Sequence, residues 1–345
     1  MLKGKEIMML KIKGILLGGA IWVALLVLAT SLSAGAADDD KKITRSFNVD
    51  YGGTLTVDTD RGSIEVATTR AQKVTVEVTR KWPSGGAKEA DPSADGWEDF
   101  EIKFDHSGKD VFIIAECTRG KNWFGWDNRL RIHYAITVPE KYNLDLVTAG
   151  GGIKIADLEG DVKCETSGGS LHISQIKGSI YGRTSGGSIT LTGSDGEADL
   201  KTSGGGIDIG QVTGHIKAHT SGGLIDIDEA GGEVEVSTSG GSIHVNEVRG
   251  TIRAATSGGS IRATISKQPK SDCSLKTSGG SVTVHLAEGI KVDVDAKTSG
   301  GSVRCEMPIT VQGLLGNNEV KGKINGGGPE LYLRSSGGPV HILNK

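Results

Sequence analysis

Beyond Val147 the chain of 345 residues has no tryptophan and no phenylalanine. A core there has to be built from many aliphatic side chains and not from a few large rings. A surplus of basic charge is missing too. Lysine and arginine number 39 against 42 aspartates and glutamates, and with no basic stripe among them nucleic-acid binding is excluded. The four cysteines come without CxxC or histidine-rich spacing, so the sequence carries no zinc-type ligand set, and no cofactor is expected. No nucleophile elbow, phosphate-binding loop or dinucleotide fingerprint stands in a strand-to-helix context, which removes the enzyme classes built on them.

What the sequence does contain is a repeat. With Thr238-Ser239-Gly240-Gly241-Ser242-Ile243-His244-Val245 as the type, copies begin at Thr148, Thr166, Thr184, Thr202, Thr220, Thr238 and Thr256, each 18 residues after the last. Thr277 and Thr298 follow at intervals of 21, and Asn325-Gly326-Gly327-Gly328 and Ser336-Gly337-Gly338-Pro339 read as degenerate final copies. A fixed period of this size marks a solenoid, in which each repeat buries its apolar side only against its neighbours.

The period has a physical reading. Apolar residues stand five and seven places after the threonine, as in Ile225 and Ile227, and again at fourteen and sixteen, as in Val234 and Val236. Alternation of this kind predicts strands, and about nine residues per half-turn leave no room for a helix between them. The expected fold is all-β, a parallel β-solenoid with two short strands in each rung of 18–21 residues. Rungs would stack ~4.8 Å apart. Each Gly-Gly pair is expected at a corner, where glycine reaches positive φ, and the Thr-Ser pairs are expected to stack as hydroxyl ladders. Cys164, Cys273 and Cys305 fall at inward places. The first two would lie about six rungs, or ~29 Å, apart, beyond the ~7 Å reach of a disulfide, and all three read as buried free thiols.

Residues 1–36 read as an export signal. Lys3, Lys5, Lys11 and Lys13 precede an apolar run from Ile15 to Ala29, and Ala34-Gly35-Ala36 offers a small-residue cleavage site. The alternative is an uncleaved membrane anchor, the one way the chain would touch a membrane. Either way the remainder is exported, to the periplasm, the cell surface or the medium. Four lysines and one glutamate precede residue 37, so the formal charge of −3 becomes −6 over the 309 residues beyond it.

Residues 37–147 differ in composition from the repeats at 148–345. All the phenylalanines and every tryptophan after the signal lie there, yet Leu55, Val57, Thr59, Gly62, Ser63, Ile64 and Val66 keep the pattern of a rung. A first rung is expected near 54–66. A β-rich insertion should follow, with strands near Val74–Val78, Phe100–Phe104, Val111–Ala115 and Leu130–Val138, and cap the open end before the chain rejoins the stack at Tyr142. Trp123, Phe124 and Trp126 form a dense aromatic patch there, either a plug of the cap or a contact surface for a partner.

The TSGGS-type repeats, the stretch GGTLTVDTDRGSIEV, the junction VPEKYNLDLVTAGGGIKI and the closing SSGGPVHI are similar to those of the bacterial "putative adhesin" family of secreted or membrane-anchored proteins. The resemblance spans roughly residues 44–345. It implies a β-solenoid surface module and carries over no catalytic residues.

One outward column, six places after each threonine, runs Lys154, His172, Thr190, Asp208, Asp226, His244, Arg262. Asp208 and Asp226, with His244 one rung on, form its best ligand constellation, since paired carboxylates ~5 Å apart are what glycoside chemistry uses. Acids on successive rungs of an exposed face are more often solvated charge. The calcium-binding nonapeptide pattern is out of frame, and the column is too irregular for ice binding. The reading reached is a non-enzymatic adhesin-like binding or scaffolding module for an envelope polysaccharide or surface protein. Its alternatives are a carbohydrate-active enzyme using Asp208 and Asp226, and a self-assembling structural solenoid.

Overall fold

The computed structural model describes residues 41–81, 100–117, 131–311 and 316–345. Among them there is no helix, and the strands form two 15-stranded sheets within the compact unit Asp39–Lys345. The parallel β-solenoid is therefore the fold. Each regular rung gives one strand to each sheet, and the register advances by 18 residues: Ile207 faces Ile225, which faces Ile243, and Ile216 faces Val234, which faces Ile252. The inward places five, seven, fourteen and sixteen are filled as expected, with Ile225, Ile227 and Val234 at 0% exposure and Val236 at 2%. Each such side chain contributes about 1.5–3 kcal/mol on burial.

A further inward place, ten after the threonine, was not anticipated. Leu158, Ile176, Ser194, Val212, Ala230 and Val248 occupy it and are buried. The step from seven to ten is odd, so one residue must rotate the chain as it approaches the corner, and simple alternation passes over the place. Ser194 is polar there but satisfied, since its hydroxyl donates to the Gly178 carbonyl at 2.7 Å and accepts from the Gly196 N–H at 3.0 Å.

The ladder at the first corner is built differently from the expected stack of hydroxyls. Each threonine points inward and donates to a glycine carbonyl of the preceding rung: Thr166 to Gly151, Thr184 to Gly169, Thr202 to Gly187 and Thr220 to Gly205, all at 2.7 Å. The same hydroxyl accepts the N–H three residues on, as in Gly187 to Thr184 at 3.3 Å. The serine beside it takes no part in this bond. The reason for glycine also differs from the expected one. None of the Gly-Gly pairs from Gly168-Gly169 to Gly279-Gly280 has positive φ. They are needed because successive rungs touch: a Cβ on Gly241 would lie 2.0 Å from the Gly223 carbonyl oxygen, and one on Gly187 2.2 Å from that of Gly169.

Both ends depart from chain order. At the start, the insertion does more than cap. Strands Asp110–Cys117 and Arg131–Pro139 form a rung stacked in parallel outside Thr54–Thr59 and Ser63–Thr69, which pair on their other side with Asn143–Thr148 and Ile153–Ile155. Antiparallel strands then close both sheets, Phe100–Ser107 on one, Lys73–Lys81 and Lys41–Asn48 on the other. Phe100, Tyr134 and Tyr142 bring buried aromatic packing to this end. The signal at 1–36 and the patch Trp123, Phe124 and Trp126 lie outside the described residues.

At the other end, the rung after Cys273–Thr277 and Val282–Leu286 in space is the last in sequence, Glu330–Ser335 and Val340–Asn344. The rung of Val292–Thr298 and Val303–Cys305 lies beyond it. The final copy thus fills a slot between two earlier ones, and the corner ladder runs through it: Ser335 donates to Gly280 at 2.7 Å and Thr298 to Gly338 at 2.6 Å. Strands Glu319–Ile324 and Ile309–Val311 close that sheet antiparallel. Cys164 and Cys273 are buried free thiols as expected, whereas Cys305, on the outer rung, is only half-buried. Burial pushes the Cys164 thiol up to about 12.

Two expectations follow. Gly169→Ala, whose Cβ would meet the Gly151 backbone at 2.2 Å, should cost more than about 2 kcal/mol in chemical denaturation, while Gly168→Ala, with nothing nearer than 3.9 Å, should stay within about 0.5 kcal/mol. Equal costs would refute the close-approach account. Deleting residues 330–345 should leave amides of 292–305 rapidly exchanging with deuterium while rungs 148–256 stay protected. Unchanged protection at 292–305 would show that the slot is not what holds the outer rung.

Candidate functional site

The core and the corners use up the inward side chains, so any ligand chemistry has to stand on the two outer sheet faces. On one face the strands beginning at Ile207, Ile225, Ile243 and Ile261 place Asp208, Asp226, His244 and Arg262 in register, one per rung. The column anticipated in the sequence is real. Asp208 is exposed, Asp226 and His244 half-buried. Partial burial, then the charges of Asp226 and Asp228, hold the Asp208 carboxyl above the usual carboxylate range. Asp226 Oδ1 is shielded from water and has no hydrogen-bond partner. Asp228 accepts from Asn246 Nδ2 at 3.0 Å.

This geometry sets two carboxylates on adjacent rungs, and the neighbouring negative charge disfavours ionisation of Asp208. It does not give a cleft. Asp208 stands on an open sheet face where water competes for every charge, unlike the enclosed acid of a glycosidase. Among the described residues no group of three or more His, Cys, Asp or Glu side chains is placed to share a metal ion. His172 lies four register steps from His244, through Thr190, Asp208 and Asp226, so the two histidines do not meet.

The other face carries cross-rung ion pairs: Lys163 with Asp145 at 3.1 Å, Arg183 with Asp199 at 2.7 Å and Lys217 with Glu235 at 3.9 Å. Within this array stands Tyr181, 39% exposed. The Arg183 guanidinium lies 4.0 Å from the centre of its ring and donates to the Gly182 and Asp199 carbonyls. Tyr181 lines a shallow groove of about 470 Å³ with residues from Asn143 to Lys217. The sequence reading did not single it out. The available signal was a lone tyrosine at a place held by Lys163, Asp199, Lys217 and Glu235 in neighbouring rungs, followed two residues later by arginine.

Two largely parallel sheets closed by glycine corners define a β-solenoid. The chain belongs to the Toastrack DUF4097 family, whose model matches residues 32–343. Among solved structures it is similar to a "putative cell adhesion protein" from Clostridium sporogenes, at 13% identity over 89% of this chain and 100% of that one, with a TM-score of 0.23. A "putative adhesin" from Bacteroides fragilis shares 15% identity over 88% of this chain and 97% of that one, TM-score 0.29. One from Parabacteroides distasonis shares 14% over 88% and 98%, TM-score 0.36. No curated protein matches the chain at a significant level.

The Asp208 environment makes a signed prediction. A raised folded-state pKa means that the folded protein binds protons more tightly than the unfolded chain, so this group's contribution to stability falls as pH rises from the ordinary aspartate range through the raised value. Asp208→Asn should therefore melt above the parent at about pH 7, with the gap closing towards about pH 3, where the Asp208 carboxyl is largely protonated in the folded and unfolded chain alike. Thermal melts across that range check it; a lower melting point at neutral pH would mean that the carboxylate is stabilised by its surroundings.

Proposed function

We propose that the chain is an exported, non-enzymatic adhesin-like module that holds an envelope polysaccharide or surface protein on its outer sheet faces. The observation that carries this reading is the placing of the polar side chains. On one face they are paired across rungs, and on the other Asp208 stands exposed on an open sheet, so among the described residues each face is a broad ordered surface with no reaction chamber. Membership of the Toastrack family supports the reading, as does the apolar run of residues 15–29 behind four lysines, which fits export. A binding face of many shallow contacts leaves no compact motif, in keeping with the sequence.

End-to-end assembly is the weaker reading. Three of the four terminal sheet edges end in antiparallel strands, and the fourth, Val303–Cys305, is three residues long, so a second copy finds little parallel edge to extend.

Retention of the full chain on intact bacterial envelopes and on purified envelope polysaccharides, with the sugars analysed for cleavage, tests the proposal. Saturable retention is expected with no cleavage, unchanged when Asp208→Asn and Asp226→Asn are combined. Trp123→Ala with Trp126→Ala tests the aromatic triplet as a contact patch and should weaken retention severalfold. Sugar cleavage lost in Asp208→Asn would instead make this an enzyme, and absence of retention on any envelope would end the adhesin reading.

A further inference from the structure

Tyr181 is a fixed aromatic platform set in a groove lined by polar and apolar residues alike. Arg183 stacks 4.0 Å from the ring centre, and is itself held by Asp199 at 2.7 Å and by the Asp199 carbonyl at 2.8 Å. A ring fixed in this way loses little side-chain entropy when a ligand settles on it. One short residue stands in a column that lines the groove beside it. In the column starting Asn143, Asp161, Ser179, Glu197 and His215, the Asn143 and Asp161 side chains each accept the backbone N–H of the next rung, at 3.0 and 2.9 Å. Ser179 does not continue this pattern, and its side chain is shorter than those of Asp161 and Glu197 on either side of it.

The same tyrosine–arginine–aspartate set occurs a second time, and the comparison shows what is particular to Tyr181. Arg334 lies 3.8 Å from the centre of the Tyr332 ring and pairs with Asp295 at 2.9 Å. There Lys276 adds a second cation 4.7 Å from the ring centre, and Tyr332 is half-buried. Tyr181 has one cation, is exposed, and opens onto a groove.

The groove's chemistry selects among ligands. Its lysines are engaged with carboxylates, Lys163 with Asp145 and Lys217 with Glu235, and Asp199 is engaged with Arg183. An anionic ligand would have to break such pairs to reach the lysines. Asn143, Ser179, Glu197 and His215 nonetheless offer both donors and acceptors along five successive rungs, ~19 Å at the rung spacing. An aromatic floor with a rim of mixed donors and acceptors suits hydroxyl-rich rings that are apolar on one face. The length suits several rings in a row. We propose that the Tyr181 groove binds a segment of an uncharged hexose polysaccharide, with one sugar ring resting on Tyr181. This rests on the adhesin reading and gives it a site and a ligand class.

The test is calorimetric titration of the full chain with cellohexaose, maltohexaose and mannohexaose, with hexagalacturonate and a chitosan hexamer as charged probes. At least one neutral hexaose should bind saturably and more tightly than either charged probe. Tyr181→Ala should weaken that binding about tenfold or more. Tyr181→Phe, which keeps the ring, should stay within about threefold, and Tyr332→Ala should change nothing. Failure of all three neutral hexaoses to bind, equal binding by Tyr181→Ala, or preference for a charged probe would each overturn the proposal. Envelope retention of the same variants separates the two readings. Retention that persists without hexaose binding overturns the groove and leaves the adhesin reading standing, whereas Tyr181-dependent hexaose binding without envelope retention sustains the groove and overturns the adhesin.

Discussion

The structure depends on one contact between neighbouring rungs, the hydroxyl of a buried threonine donated to a glycine carbonyl of the rung before it. A solenoid corner is where backbone groups leave the sheet ladders, and an unpaired carbonyl buried there would cost about 1–3 kcal/mol. The threonine answers that need and also accepts an N–H from its own corner, so a single side chain joins two rungs and closes its own turn. The bond requires the two corners to come so close that no Cβ fits between them, which is why threonine and glycine recur together. Because each rung from Thr148 onward meets its neighbour by the same bond, the period cannot drift without leaving a carbonyl unpaired. The two intervals of 21 residues place their extra residues elsewhere, and the Thr277 hydroxyl still reaches the Gly259 carbonyl at 2.7 Å.

A uniform joint of this kind also explains the ends. Any segment with the right inward pattern and a hydroxyl at the corner can occupy any slot in the stack. The last segment therefore enters between Cys273–Thr277 and Val292–Thr298, whereas the first rung takes its outer neighbour from the insertion without this bond, its Thr59 hydroxyl donating to the Arg61 carbonyl. Glu319–Ile324 and Glu330–Ser335 lie on opposite sides of Val292–Thr298 and run in opposite directions, so the chain grips that strand from both sides. The tail is tied back as well, through the Lys345 N–H to the Leu286 carbonyl at 2.9 Å and its ammonium to Glu247 at 3.1 Å. An end held this way presents short or antiparallel edges in place of an open parallel one.

These same facts set how much could be read from the residues. The threonine interval, the alternation at five and seven, and the strands of the insertion were legible because each follows from a local period. The inward place ten was not, since Val212 and Val248 stand an odd step from their predecessors. The order of the final rungs was not legible either. Cys273-Ser274-Leu275-Lys276-Thr277 and Leu331-Tyr332-Leu333-Arg334-Ser335 have the same inward alternation and the same hydroxyl, so sequence alone does not rank them as neighbours of the Thr256 rung. The Asp208 column was read correctly because register follows from period. The Tyr181 groove was missed because it is lined by residues of five successive rungs, the short Ser179 among them, a relation across rungs that a period does not display.

The outer faces explain why so regular a protein says so little about its ligand. Exposed ion pairs contribute about 0–1 kcal/mol each, so pairs such as Lys163 with Asp145 and Lys217 with Glu235 do little to hold the stack. Their larger effect is on what the face attracts. With opposite charges matched across rungs, the surface offers no strong field to a charged partner, and recognition falls to shape and to hydrogen bonds. Side chains free of the core and the corner bond can vary from rung to rung without disturbing the fold. One tyrosine beside one serine is then enough to turn a repeating surface into a particular site, while the rungs on either side keep the stack intact.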